Sequence, residues 1–134
     1  MISAHRGAPS MAPENTLASF KKALETSGLN NIIEEGNIVA IKIHVGDMRR
    51  GGYRYIRPIF VQILVEYVKK IGGIPFITDT WGLKHVIVGL KNGFNYASIG
   101  APLIPANGIK ENFYYDVELE KYLQVKSIQV AGNI

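Results

Sequence analysis

Asn37 to Val45 reads NIVAIKIHV. A run this short and this rich in β-branched apolar residues is the pattern of a strand buried on both faces, as in a parallel sheet. What flanks it tells how the sheet is wound. Gly46 to Arg57 follows as a loop rich in Gly and Arg. Pro58 then opens a helix to about Ile71, where a missing first-turn N–H costs nothing. That helix is apolar on nearly every face, through Phe60, Val61, Ile63, Leu64, Val65 and Val68, so it should be heavily covered. Gly72-Gly73 stops it, and Ile74 to Thr78 is the next strand. A strand, a helix and a strand in this order imply a right-handed parallel crossover.

The pattern extends both ways. Upstream, Ile2 to Ala4 is a short apolar start, followed by a loop from Arg6 to Ala12. Leu17, Phe20 and Leu24 recur at helical spacing and place a helix at about residues 15–27, with Gly28 as its C-terminal cap. Downstream, a weaker helix from about Lys84 to Lys91 ends at Asn92-Gly93. Ala101 to Ala106 reads as an edge or irregular strand, because Pro102 and Pro105 interrupt it. Phe113 to Leu119 alternates loosely as a hairpin arm, and Val125 to Ala131 is a final strand. Too few βα units are present to close an eight-stranded barrel. The expected fold is α/β: a flavodoxin-like, open, doubly wound sheet of about five mostly parallel strands, in three α/β/α layers.

Size and composition bound the rest. The chain has 134 residues and 47% hydrophobic residues, as expected of one globular domain spanning residues 1–134. There is no cysteine, which excludes disulfides, thiolate metal sites and Cys nucleophiles, and suits a reducing cytoplasm. The net charge is +4, but only Arg49 to Arg57 forms a cluster. Scattered basic residues are the mark of a solvated surface, so no nucleic-acid partner is expected. No run is long enough to span a membrane, since Lys69 and Lys70 end the longest, and no signal peptide is visible. The oligomeric state is left open.

Two resemblances meet in this chain. AHRGAPSMAPENTLASFKKALE, beginning at Ala4, resembles the opening of the glycerophosphodiester phosphodiesterase family, in which His-Arg-Gly and Pro-Glu-Asn-Thr stand at this spacing. It covers about Ile2 to Glu25. It implies the first strand, loop and helix of a TIM barrel, with His5 as an acid–base residue and Arg6 as a phosphate ligand. Glu14 and Asn15 would shape the loop and the helix start. From Leu29 onward, NIVAIKIHVGD, YRYIRPIFV, GGIPFITDT and NGFNYASIGAPLIPANGIK resemble an uncharacterised iron–sulfur-centre family (domain of unknown function 362), in the order of its N-terminal α/β region. The cysteines of that family's later part have no counterpart here. Together the resemblances imply an engineered chimera joined within residues 21–29. A βα unit has the same hand in a barrel and in an open sheet, so such a graft is physically sensible.

The chemistry follows from what is present. The phosphodiesterase family needs a divalent metal held by a Glu-x-Asp at the end of its second strand. Here that strand ends Lys42-Ile43-His44-Val45-Gly46-Asp47, and Glu34-Glu35 lies at its other end, so no metal site is expected. His44 falls near the spacing of that family's second histidine; were the activity retained, His5, Arg6 and His44 would be its catalytic residues. The favoured expectation is that His5 and Arg6 sit idle and the chain is not an enzyme. Ligands of open parallel sheets gather beyond the carboxyl ends of the strands. That rim would collect His5, Arg6, His44, Asp47, Thr78, Asp79, Thr80, Asn107 and Gly108. The anion-binding candidates are Arg6, Arg54, Arg57, Thr78 and Thr80, the arginines at 54 and 57 standing just before a helix N-terminus. Adventitious phosphate or sulfate is the ligand expected there, with nucleotide as a further candidate. No Walker loop or G-x-G-x-x-G is present, and no cofactor is expected; a flavin would rest on fold analogy alone. Trp81 reads as a half-buried aromatic and His85 as a surface residue of the third helix.

Overall fold

The structure is a computed structural model and describes residues 11–13, 16–47, 55–80, 82–121 and 124–134. Ile2 to Ala4, the expected first strand, lies outside the described residues. In chain order the elements are α1 (Leu17–Glu25), β1 (Ile38–Lys42), α2 (Pro58–Lys70), β2 (Ile74–Thr78), α3 (Gly82–Lys91), α4 (Tyr96–Ile99), β3 (Tyr114–Glu118) and β4 (Ser127–Ala131). The fold is α/β with a small open parallel sheet, and the described residues form no closed barrel.

β1 and β2 pair in parallel from Ile38↔Ile74 to Lys42↔Thr78, with α2 as the crossover. The next segment continues this sheet by one bridge only, Ile77 to Leu103. Pro102 limits it on the upstream side, since a proline has no N–H to give a ladder, while downstream Ala106 N still donates to Asp79 O at 2.8 Å. Among the described residues, four strands in two sheets therefore stand where about five in one sheet were expected. β3 and β4 form a separate antiparallel hairpin, Tyr114↔Ala131 to Glu118↔Ser127.

One apolar cluster holds the body. Ile41 and Ile77 from the sheet meet Val61, Val65 and Val68 of α2, Val88 of α3, and Phe94 and Ile99 around α4. All three helices thus meet one cluster through residues on one side of the sheet. Side chains alternate across a strand, so Ile38, Ala40 and Ile74 point the other way, and they are exposed. The Phe94 ring is fully buried and packs edge-on against Tyr55 at 5.9 Å. Gly89 lets α3 approach closely, since a Cβ there would strike the Leu103 side chain.

α1 is capped at Thr16, whose hydroxyl accepts from Ser19 N at 3.1 Å. It ends at Thr26, not at Gly28; Gly28 takes a left-handed conformation and starts a short 3-10 turn instead. Leu24 is buried, while Phe20 is only half-buried and meets Phe60 of α2 edge-on at 5.5 Å. The helical stripe read from Leu17, Phe20 and Leu24 therefore docks on α2 rather than directly on the strands, and Leu17 is exposed. No helix among the described residues is long and apolar enough to cross a membrane.

Candidate functional site

Because β1 and β2 run parallel and in register, they finish together, with Lys42 opposite Thr78. The residues that follow share one rim. Asp79 is its centre, mostly covered and held between two bases: Lys42 Nζ lies 3.4 Å from Oδ1 and His44 Nδ1 3.8 Å from Oδ2. The Thr80 backbone N–H donates to Asp79 Oδ1 at 2.9 Å. Lys42 and His44 are at least half exposed, so the rim presents cationic and polar groups to water around one anchored carboxylate.

Beneath them lie two buried polar groups. Thr78 is fully covered, and its hydroxyl has no hydrogen-bond partner among the described residues. His85 was expected on the surface, and the structure places it inside, 1% exposed, with no partner for Nε2 among the described residues. The reason is helical phase. Gly82, His85, Val88 and Gly89 form the inward stripe of α3, and a histidine at i+3 from a buried position follows its neighbours. Burial pushes the His85 imidazole below its ordinary value of 6.5; the Asp79 carboxylate opposes this, and Lys42 and His44 reinforce it. A buried polar group left unpaired costs ~1–3 kcal/mol, so such a group ordinarily finds a partner such as an internal water.

The other candidates divide. Arg57 is the N-cap of α2 and makes no side-chain cap bond. As α2 returns between two parallel strands, its N-terminus stands at the carboxyl end of the sheet, where Asn92 Nδ2 also reaches Val45 O at 2.8 Å. Thr80 is exposed and offers its backbone to Asp79. Asn107 is buried and works as a clamp: its Oδ1 accepts from Gly82 N at 3.3 Å and its Nδ2 donates to Tyr114 Oη at 2.7 Å. With Leu83 N donating to Ile109 O, the first turn of α3 is occupied by protein. His5, Arg6, Glu14, Asn15, Arg54 and Trp81 lie outside the described residues. Among the described residues, no three His, Asp or Glu side chains converge as a metal site.

Sequence reading found His44, Thr78, Asp79 and Thr80 from their place at strand ends. It missed Lys42 and His85 as members of the rim. The spacing of His85 from Gly82 and Val88 carried the signal for one; nothing local marks the reach of Lys42 to Asp79.

Compared with known proteins, residues 39–134 match a family model described as "Domain of unknown function (DUF362)". No curated protein matches the chain, and no solved structure does.

Proposed function

The chain belongs to this DUF362 family, and from that premise we propose that it is a non-catalytic α/β module that binds a small oxyanion, phosphate or sulfate, at the carboxyl ends of β1 and β2. The observation that carries this reading is the meeting of Lys42 and His44, both at least half exposed, at the shared carboxyl end of β1 and β2. An oxyanion accepts from the Lys42 ammonium and from an N–H of the His44 ring. Arg57 and the α2 N-terminus add favourable field at the same end of the sheet. In this reading the protein works in the cytoplasm without a resident cofactor, nucleic acid or membrane. Residues 2–25 are, in this reading, an engineered graft that contributes a helix and no chemistry; that part rests on the family resemblance alone.

The test is a titration of phosphate, then sulfate, into the isotope-labelled full chain, followed by amide resonances. Lys42, His44 and Thr80 should shift together and saturate, and Lys42→Ala should weaken binding. Unmoved rim resonances would overturn the proposal. The rival reading is a metal-dependent phosphodiesterase using His5, Arg6 and His44. Turnover of glycerophosphocholine with magnesium or calcium, lost in His5→Ala, would establish it instead.

A further inference from the structure

The rim holds an acceptor as well as donors. Asp79 directly follows β2, and its carboxylate stands between the two cationic groups, with Lys42 Nζ 3.4 Å from Oδ1 and His44 Nδ1 3.8 Å from Oδ2. The carboxylate is fixed in place. Oδ1 accepts from the Thr80 N–H at 2.9 Å, and the Asp79 carbonyl accepts from Ala106 N at 2.8 Å. The Asp79 side chain is 15% exposed, against 68% for Lys42 and 50% for His44, so it can meet a ligand but cannot swing away into water. At 3.8 Å, His44 stands beyond hydrogen-bond distance of Oδ2, which leaves that oxygen room for a donor.

An oxyanion that bridges Lys42 and His44 must therefore lie against this carboxylate. Two anions brought that close repel each other unless a proton lies between them. A carboxylate can only accept, so the proton must arrive with the ligand. Phosphate and sulfate are both tetrahedral, and at mildly alkaline pH both are dianions. They differ in one respect: hydrogen phosphate keeps an O–H, and sulfate has none. Size, shape and charge cannot separate them, but a fixed acceptor can. Discrimination of this kind comes as much from a charge set against the wrong ligand as from a bond to the right one.

We propose that Asp79 is the specificity-determining residue of the rim and restricts it to phosphate that carries a proton, excluding sulfate. This inference rests on the oxyanion reading of the rim and narrows it. In the bound state Lys42 and His44 donate to two oxygens of the ligand, and the ligand O–H donates to Asp79 Oδ2. A phosphomonoester loses its last proton at about pH 6. At neutral pH the requirement therefore favours inorganic phosphate over its monoesters.

The test is a set of amide titrations on the full chain at mildly alkaline pH and equal ionic strength, with phosphate, sulfate and fluorophosphate as probes. Fluorophosphate has the charge and shape of hydrogen phosphate, with fluorine in place of the O–H. The Thr80 amide, bonded to Asp79, reports binding. Phosphate should bind at least about tenfold more tightly than either other ion, the scale of one hydrogen bond to a charged group. In Asp79→Asn the amide oxygen can keep the Thr80 bond while the amide N–H donates to the ligand. Sulfate and fluorophosphate should then bind more tightly than in the wild type, and the preference for phosphate should vanish. A merely structural role for Asp79 would weaken all three ions together, and that result overturns the inference. Equal affinities in the wild type also overturn it and leave the oxyanion site standing. So does a preference that survives Asp79→Asn. Rim resonances that no ion moves remove the site and the inference with it. The comparison with fluorophosphate needs no variant, so it decides the matter even if Asp79→Asn fails to fold.

Discussion

β2 and β3 are each five residues long and each pairs along its full length, yet four residues of β2 are buried and none of β3. The difference is written in their side chains. Ile74-Pro75-Phe76-Ile77-Thr78 offers no charged residue on either face and suits a position inside an α/β body. Tyr114-Tyr115-Asp116-Val117-Glu118 places acids on alternate positions and keeps one face in water. Pairing alone therefore does not bury a strand. β2 is buried because α2, α3 and α4 share one cluster with Ile41 and Ile77, whereas the hairpin is tied to the body at its base, largely by hydrogen bonds among the described residues.

The sharpest test of that contrast is to remove volume from the body. Phe94 is fully buried in the cluster and in ring contact with Tyr55. Phe94→Ala should cost ~3–5 kcal/mol, since the cavity can collapse only in part. Against a total of ~5–15 kcal/mol for a domain of this kind, a denaturant melt should show a large loss or an unfolded chain. A melt close to wild type would mean the body is not held by this cluster.

A second test uses the ionisable group that only the body contains. His85 titrates below 6.5 when folded and at about its ordinary value when unfolded. Between those two values the unfolded chain binds more protons, so stability rises with pH. The contribution is complete above 6.5 and is lost as pH falls through the depressed folded value. Melts at a series of pH values should show this slope, and His85→Gln should flatten it. A slope that survives the substitution would assign it to another group.

Much of the body could be read from the chain alone, for a physical reason. Ile74–Thr78 is bounded by Gly72-Gly73 and a polar turn, and α2 by Pro58 and the same glycines; these are local steric signals, and the bounds fall where they indicate. The hairpin was legible from alternation in Phe113 to Leu119 and Val125 to Ala131. α4 was not anticipated. Its mark is the reciprocal bonding of Asn95 with Ser98, but Asn-x-x-Ser is common in loops and the helix is a single turn. The rim was half legible. His44 and Thr78 follow from strand ends, whereas Lys42 joins only because β1 and β2 align in register, a tertiary fact. His85 shows the opposite failure: the period was present, but a histidine on a short helix was assigned outward on polarity.

The smallest expected effect probes the other side of the comparison. Val117 lies on the apolar face of the hairpin, 41% exposed and opposite Ile128. Val117→Thr preserves β-branching and nearly the same shape, so strand preference barely changes. It adds a hydroxyl that water can solvate in a single chain. In dilute solution the melt should therefore stay within ~0.5 kcal/mol of wild type, as for an ordinary surface site. A large loss at high dilution would mean that Val117 is covered within its own chain, and the contrast between β2 and β3 would fail. A small loss would mean that the face stands in water, which is what its alternation and exposure imply.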